Sequence, residues 1–212
     1  MPLTRRHLLQ TALTGPVSAT AITASRPSQA ADSQTNLNDP TDQTDPAALL
    51  RSGGLVLVLR HALAPGTFDP PGFQLGDCST QRNLDATGRA QATQLGQWLA
   101  QRGLRPARVR SSPWCRCLET AQLAFGSAQP WAALGSPAAD ISPSRSAQQQ
   151  ALHHALASAS GQSGRFEAWV THQFVITDLV GGSTAPGDGL LLRWATSGGV
   201  KLLAVLPAPA MR

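Results

Sequence analysis

The sequence predicts an α/β fold, a three-layer sandwich in which a mostly parallel central sheet lies between two layers of helices. Short apolar runs typical of buried strands alternate along the chain with segments of helical periodicity. Glycine- and proline-rich stretches separate these elements. With 212 residues, of which 42% are hydrophobic, the chain has the size of one domain with a real core.

The first thirty residues have the layout of a twin-arginine export signal. Arg5 and Arg6 precede a short, weakly apolar stretch without acidic residues, and residues 28–30 offer the small side chains that a signal peptidase recognises. A basic surface helix is the alternative reading. The stretch is too short and too interrupted for a membrane span. We therefore expect twin-arginine export to the periplasm or the medium, and no stable membrane anchor.

The charge of the remaining chain does not favour nucleic-acid binding. The whole chain has 17 basic and 12 acidic residues, and residues 1–30 contain three of the basic and none of the acidic ones. That leaves 14 basic and 12 acidic residues, a net charge of about +2 with neutral histidines. The basic residues are scattered rather than clustered in a stripe. We expect no nucleic-acid partner.

Residues 31–48 are polar and contain two prolines, which predicts a flexible lead-in, so the folded domain is expected over residues 49–212. Its first strand is "GLVLVLRH", residues 54–61, and a long loop at 64–83 follows it. The later elements alternate between helices and strands. They are a helix from Asp85 or Thr87 to Gly103, a strand at 105–112, a helix at 113–126, a helix at 147–159, a strand at 165–172, a helix at 173–182 and two strands within 189–207.

Three of the predicted strands deliver reactive side chains at or just after their carboxyl ends. The first ends in Arg60 and His61, the second leads to Arg116 on the following helix, and the third ends in His172. Ligands of such sheets bind beyond the carboxyl ends of the strands. Guanidinium groups bind phosphate oxygens as bidentate forks, and the amides of a helix beginning near Pro113 add donors. The pattern predicts a site for a phosphoryl group.

Four segments carry a resemblance to a known family. "LRHA", "NLDATGRAQATQLGQWL", "SSPWCRCLETA" and "VTHQFVITDLVGG" are similar, in this order, to the signature segments of the histidine phosphatase superfamily. The resemblance spans residues 55–206 and implies a phosphoglycerate-mutase-like fold. One position departs from the family's pattern, since Ala62 stands where the family usually has glycine after the nucleophile. The added methyl group is expected to be tolerated.

The resemblance implies a role for each matching residue. His61 corresponds to the histidine that attacks phosphorus and becomes phosphohistidine, and His172 to the one that hydrogen-bonds the transferring group. Arg60 and Arg116 correspond to the phosphate-binding arginines. A neutral imidazole has a free lone pair, provided that its other ring nitrogen is held by an acceptor such as a backbone carbonyl.

Because side chains supply the positive charge, we expect no cofactor and no metal. The "CRC" at residues 115–117 lacks the further ligands that a zinc site needs.

A phosphatase also needs a group that protonates the leaving oxygen and then activates water. In relatives this acid often follows the second arginine segment, which favours Asp140 as the catalytic acid. Asp188 is the second candidate and Asp77 the third. Glu119, three residues after Arg116, is expected to orient that arginine.

The loop at residues 64–83 is expected to overhang the site. Within it, Arg82 either reaches the substrate or pairs with a nearby aspartate. The chain has three cysteines, so one intrachain disulfide is the most it can form. Cys78 is expected to bond Cys115 or Cys117, which would tie the loop to the helix of Arg116.

Together these features predict an exported, metal-independent phosphomonoester hydrolase that works through phosphohistidine. Its partner would be a small-molecule phosphate ester or a phosphate of the cell envelope. Two alternatives stay open, a catalytically silent phosphate-binding envelope protein and a phosphotransferase. The sequence makes no prediction of the oligomeric state.

Overall fold

A computed structural model describes residues 45–137 and 142–208 of the chain. The expected export signal and residues 31–44 of the expected lead-in lie outside the described residues. The first helix, α1, spans Pro46–Ser52, so it includes the end of the stretch assigned to the lead-in. The carboxylate of Asp45 accepts the N–H groups of Ala47 and Ala48 and so caps this helix.

A six-stranded sheet forms the centre of the domain, and its four strands at one side are parallel. β1 pairs with β4 in parallel, β4 with β2, and β2 with β3, whereas β5 and β6 run antiparallel beside β1. The strands are β1 Leu55–Arg60, β2 Arg108–Ser111, β3 Gln129–Pro130, β4 Phe166–Thr171, β5 Gly189–Trp194 and β6 Val200–Leu206, in the spatial order β3-β2-β4-β1-β5-β6.

Helices cover both faces of the sheet. They are α2 Ala86–Gln101, α3 Cys115–Phe125, α4 Arg145–Ser160 and α5 Gln173–Val180. The alternation of side chains along β1 separates two apolar cores, because successive residues of a strand point to opposite faces. Leu55, Leu57 and Leu59 pack with α2 and α3, whereas Val56 and Val58 pack with α4 and α5. The predicted three-layer α/β sandwich with a mostly parallel sheet is confirmed.

The pairing of β1, β4 and β2 brings the predicted reactive ends together. Arg60, the last residue of β1, lies beside Thr171, the last residue of β4. The N–H of His61 donates to the carbonyl of Thr171 at 2.9 Å. On the other side of β4, the N–H of Ser112 donates to the carbonyl of Val170 at 2.9 Å. The chain segments that follow β1, β2 and β4 therefore leave the sheet next to one another.

No helix among residues 45–137 and 142–208 combines the length and the apolar character needed to cross a bilayer.

Gly88 lets α2 approach the segment that follows His61. A Cβ at this buried glycine would lie 2.1 Å from the carbonyl oxygen of Leu63, far inside contact distance. We expect Gly88→Ala to lower the free energy of unfolding by about 1–3 kcal/mol, the usual cost of overpacking. Urea unfolding measures this difference. Gly76→Ala is the control, because a Cβ there meets no atom within 4 Å, and an equal loss in both variants would contradict the prediction.

Candidate active site

His61 lies directly after β1 and is almost fully buried. Its Nδ1 is 2.8 Å from the carbonyl oxygen of Ala62. A carbonyl only accepts, so Nδ1 carries the proton and Nε2 keeps its lone pair. The backbone N–H of Ala62 donates to Oγ1 of Thr120 at 3.1 Å. The buried alanine therefore fits where the family pattern has glycine, and the carbonyl holds the imidazole as expected.

His172 follows β4, and its ring centroid lies 5.5 Å from that of His61. Its Nε2 is 2.7 Å from Oγ of Ser112, and its Nδ1 is 3.4 Å from Nη2 of Arg116. A guanidinium group only donates, so Nδ1 is the acceptor and Nε2–H donates to the serine. Both imidazoles are thus held in defined tautomers by the surrounding structure.

Burial and positive surroundings keep both imidazoles neutral. Burial lowers the pKa of His61 from its ordinary 6.5 to about 3, and the charges of Arg116, Arg82 and Arg60 add to this effect. The pKa of His172 is lowered well below 6.5 by burial first and by the same arginines. A neutral His61 at physiological pH is the nucleophilic form of the side chain.

Arg60 and Arg82 are each anchored through one guanidinium nitrogen. Nη1 of Arg60 donates to the carbonyl of Thr184 at 2.6 Å. Nη1 of Arg82 donates to the carbonyl of Gly66 at 3.0 Å and also to that of Ala64. Backbone carbonyls thus hold one edge of each guanidinium group and leave its other edge for the cavity.

Arg116, in the first turn of α3, is held by a carboxylate instead. Its Nη1 donates to Oδ1 and Oδ2 of Asp69 at 2.8 and 3.1 Å. Asp69 also accepts the N–H of Arg82 at 3.0 Å and Nε1–H of Trp114 at 3.2 Å. The side chains of Arg116 and Asp69 are only 4% and 9% exposed. This ion pair is part of the interior rather than of the surface.

The three arginines share one unusual feature. The Nε atoms of Arg60, Arg82 and Arg116 are buried and have no hydrogen-bond partner among the described residues. A buried N–H without a partner costs about 1–3 kcal/mol, and more on a charged group. Unpaired buried donors on three guanidinium groups are unusual, and the summed positive charge of these groups favours a bound anion.

These side chains line one cavity of about 520 Å³. Its wall includes His61, His172 and the three arginines together with Asp69. Arg60 and Arg116 thus meet the two histidines, as the sequence predicts, and Arg82 joins them. A shallower depression beside His153 and His154 is larger, about 720 Å³, but no arginine or carboxylate lines it. The chemistry of the donor set, and not the volume, identifies the site.

Of the three candidates for the catalytic acid, one lies outside the described residues and two lie outside the cavity wall. Asp140 lies outside the described residues, three positions beyond Pro137, which lines the cavity. Asp188 caps a turn, because its carboxylate accepts the N–H groups of Ala185 and Ala208. Asp77 is fully exposed and caps the short helix that begins at Cys78. Neither of these two carboxylates lines the cavity.

The expectation that Glu119 orients Arg116 is wrong. Glu119 pairs with Arg89 of α2 at 2.6 Å on the protein surface. Asp69 takes the orienting position. Sequence reasoning missed Asp69 because it lies 47 residues before Arg116 in a loop without periodicity. Its signals in the sequence were its place in the long Gly- and Pro-rich loop and the expectation that Arg82 could pair with a nearby aspartate.

The disulfide joins Cys78 to Cys115, so the structure selects one of the two expected pairings. The side chain of Gln81 accepts the N–H of Cys115 at 3.0 Å and adds a second link. The loop that carries Asp69 and Arg82 is thereby attached to the first turn of α3. Cys117 is free and buried, and burial raises the pKa of its thiol to about 12.

No cluster of three or more metal-ligating side chains occurs within residues 45–137 and 142–208.

The cysteine arrangement gives a first prediction for the site. Protein made in an oxidising compartment should show a Cys78–Cys115 cross-link in nonreduced peptide maps. In the folded state the Cys117 thiol should resist alkylation, because it is buried and protonated. Unfolding in denaturant should make it react. A cross-link that contains Cys117 would contradict the pairing.

The two neutral histidines give a second prediction. The unfolded chain binds a proton at each histidine below pH 6.5, but the folded protein does not until far lower pH. The free energy of unfolding should therefore fall between pH 7 and pH 5, by about 2 kcal/mol for each buried histidine at pH 5. Urea unfolding at both pH values measures it. His61→Gln should remove about half of the change, and His154→Gln, on the surface of α4, is the control.

Known proteins share this architecture. The model of the histidine phosphatase superfamily, branch 1, matches residues 56–134. The structure of the protein histidine phosphatase SixA complexed with tungstate has 19% sequence identity and a TM-score of 0.51, and the match covers 74% of this chain and 99% of that chain. A phosphoserine phosphatase mutant from Entamoeba histolytica in complex with phosphoserine has 14% identity and a TM-score of 0.55 over the same shares of both chains.

No curated protein sequence matches the chain. At these identities the structural likeness shows the fold alone, whereas the match of the family model bears on ancestry and covers the segments of His61 and Arg116. The expectation that the protein is a phosphatase is confirmed at the level of the enzyme class. With a family model that matches residues 56–134, a shared fold and the predicted side chains around one cavity, the chain is similar to the histidine phosphatase superfamily.

Proposed function

We propose that the protein is an exported, metal-independent phosphomonoester hydrolase that works through a phosphohistidine at His61. The observation that carries this proposal is the convergence of three guanidinium groups on one cavity beside a neutral His61. Their positive charge suits a phosphoryl group, because guanidinium groups bind phosphate oxygens. In phosphoryl transfer the protein mainly positions groups and stabilises charge, which this set of side chains does without a metal.

In the first step, Nε2 of His61 donates its lone pair to phosphorus, and the bond from phosphorus to the ester oxygen breaks. The leaving oxygen takes that electron pair and, unless it is already a stable anion, a proton. Nδ1–H keeps its hydrogen bond to the carbonyl of Ala62, which supports the positive charge that forms on the ring. The arginines supply the positive charge for the phosphoryl oxygens, whereas the ring nitrogens of His172 are bonded to Ser112 and Arg116.

In the second step, water attacks phosphorus, loses a proton and displaces His61, which regains its lone pair. Inorganic phosphate then leaves the cavity. Asp140 stays our candidate for the group that gives the first proton and takes the second. Because the same intermediate reacts with any acceptor hydroxyl, a phosphotransferase is the second candidate from the same chemistry.

The outer part of the cavity suits an ester with an apolar organic group. Phe68 and Phe174 both line it and are 76% and 54% exposed. Exposed aromatic side chains beside a charged pocket offer a contact surface to the part of the substrate that projects from the phosphate. An aryl phosphate is therefore a suitable first substrate, and its stable leaving group reduces the need for a catalytic acid.

Export is part of the proposal and is supported by the N-terminal sequence pattern. The Cys78–Cys115 disulfide is compatible with it, since such bonds persist in oxidising compartments. Replacing Arg5 and Arg6 with lysine and fractionating the cells measures it. Retention of the variant in the cytoplasm is the expected result, and unchanged location would count against twin-arginine export.

We expect the purified protein to hydrolyse an aryl phosphate at the same rate with and without a chelator. His61→Ala should lower kcat at least about a thousandfold, because the nucleophile is lost. Replacing Arg60, Arg82 or Arg116 with glutamine should each lower kcat about 100- to 1,000-fold. Acid quench of the wild type should trap acid-labile phosphate on His61.

His154→Ala is the matched control, since His154 lies on α4 outside the cavity. Equal, negligible rates for wild type and His61→Ala, with phosphate still bound, would instead support a silent binding protein. Phosphate found on an added alcohol, in excess over free phosphate, would support a phosphotransferase.

A further inference from the structure

We propose that Asp69 is an internal counter-anion, which lowers the positive charge of the phosphate pocket so that product phosphate can leave. The inference rests on the proposed function, because the pocket it describes is the proposed phosphate site. It concerns affinity for the phosphate group rather than the chemical step. Asp69 is therefore a positioning residue that acts through Arg116.

The contacts of Asp69 are those of a fixed, ionised group. Its two oxygens together accept from Nη1 of Arg116, Nε1 of Trp114 and the N–H of Arg82. These three contacts hold the carboxylate in one position. Asp69 is the one carboxylate among the described residues of the cavity wall. We therefore assign its role to its negative charge.

The charge balance supports that role. Three guanidinium groups carry +3, and the two buried histidines are neutral. Asp69 lowers the charge of the cavity wall to +2, which equals in magnitude the charge of a phosphomonoester dianion or of hydrogen phosphate. Asp188, which also attracts Arg60, lies outside this wall. Without Asp69, the cavity would hold a dianion with one uncompensated positive charge in a partly desolvated space, where such charges act strongly.

Asp69 also fixes the orientation of the Arg116 guanidinium group. Its carboxylate binds Nη1, whereas Nε is buried without a partner among the described residues. Backbone carbonyls select an edge of Arg60 and Arg82 in the same way. At those two arginines the anchor is uncharged. Asp69 thus differs from the other anchors in charge and not in geometry.

The test separates charge from geometry with three variants of Asp69. Asp69→Asn keeps an oxygen that can accept from Nη1 and removes the charge, Asp69→Ser leaves room for water at Nη1, and Asp69→Glu keeps the charge. Calorimetric titration of the purified full-length protein with inorganic phosphate gives the affinity directly. Turnover of an aryl phosphate gives kcat and KM in parallel.

We expect Asp69→Asn and Asp69→Ser to bind phosphate at least about tenfold more tightly than the wild type, because like-charge repulsion with the dianion is gone. Their kcat should fall together with KM, as product release becomes slower. Asp69→Glu should stay within about threefold of the wild type. A purely structural role predicts the opposite, a weaker phosphate site in every variant.

Glu119→Gln is the matched control, because Glu119 lies on the same helix as Arg116 but pairs with Arg89 of α2 outside the cavity. Its phosphate affinity should equal that of the wild type. Unchanged or weaker phosphate binding in both uncharged variants overturns the inference, whether or not the protein hydrolyses esters. Conversely, tighter binding without any turnover in the wild type would sustain the counter-anion and overturn the hydrolase.

Discussion

The structure of the site depends on one electrostatic constraint, the accumulation of three guanidinium groups in a small, poorly hydrated space. Like charges so placed repel each other, and burial makes that repulsion stronger than in water. Each arginine is therefore fixed by its own acceptor, two by backbone carbonyls and Arg116 by Asp69. The same positive field, added to burial, keeps His61 unprotonated. The nucleophile and the phosphate site thus have a common physical origin.

The residues at the strand ends could be predicted from the sequence, because each directly follows a short apolar run that is typical of a buried strand. Arg60 and His61 follow an uninterrupted apolar run, and His172 follows another. Parallel strands end at one edge of a sheet, so residues at the ends of neighbouring strands lie close together, and β2, β4 and β1 are neighbours here. The resemblance to the family added their roles. Neither argument required knowledge of loop conformation or of contacts between distant side chains.

The rest of the site depends on such contacts and could not be predicted. Asp69 lies in an irregular loop, and only the folded loop shows that it reaches Arg116. Glu119 was wrongly expected to orient Arg116, because residues three positions apart on a helix lie close together. In the structure Arg116 is buried towards the cavity, whereas Glu119 pairs with α2 at the surface. Cys115, rather than Cys117, forms the disulfide with Cys78, because Cys117 packs beside His172 inside the domain.

The position of the loop at residues 64–83 explains why a disulfide is placed there. The loop supplies Asp69 and Arg82, yet an irregular segment of this length has little regular hydrogen bonding to hold it. Repulsion between Arg82 and Arg116 also acts to push it away from the cavity. The Cys78–Cys115 bond, the hydrogen bond from Cys115 to Gln81 and the Asp69–Arg116 ion pair oppose that repulsion at three points. These three attachments add to the packing of Phe73 and Leu75 against the core, and together they hold the loop beside the crowded charge.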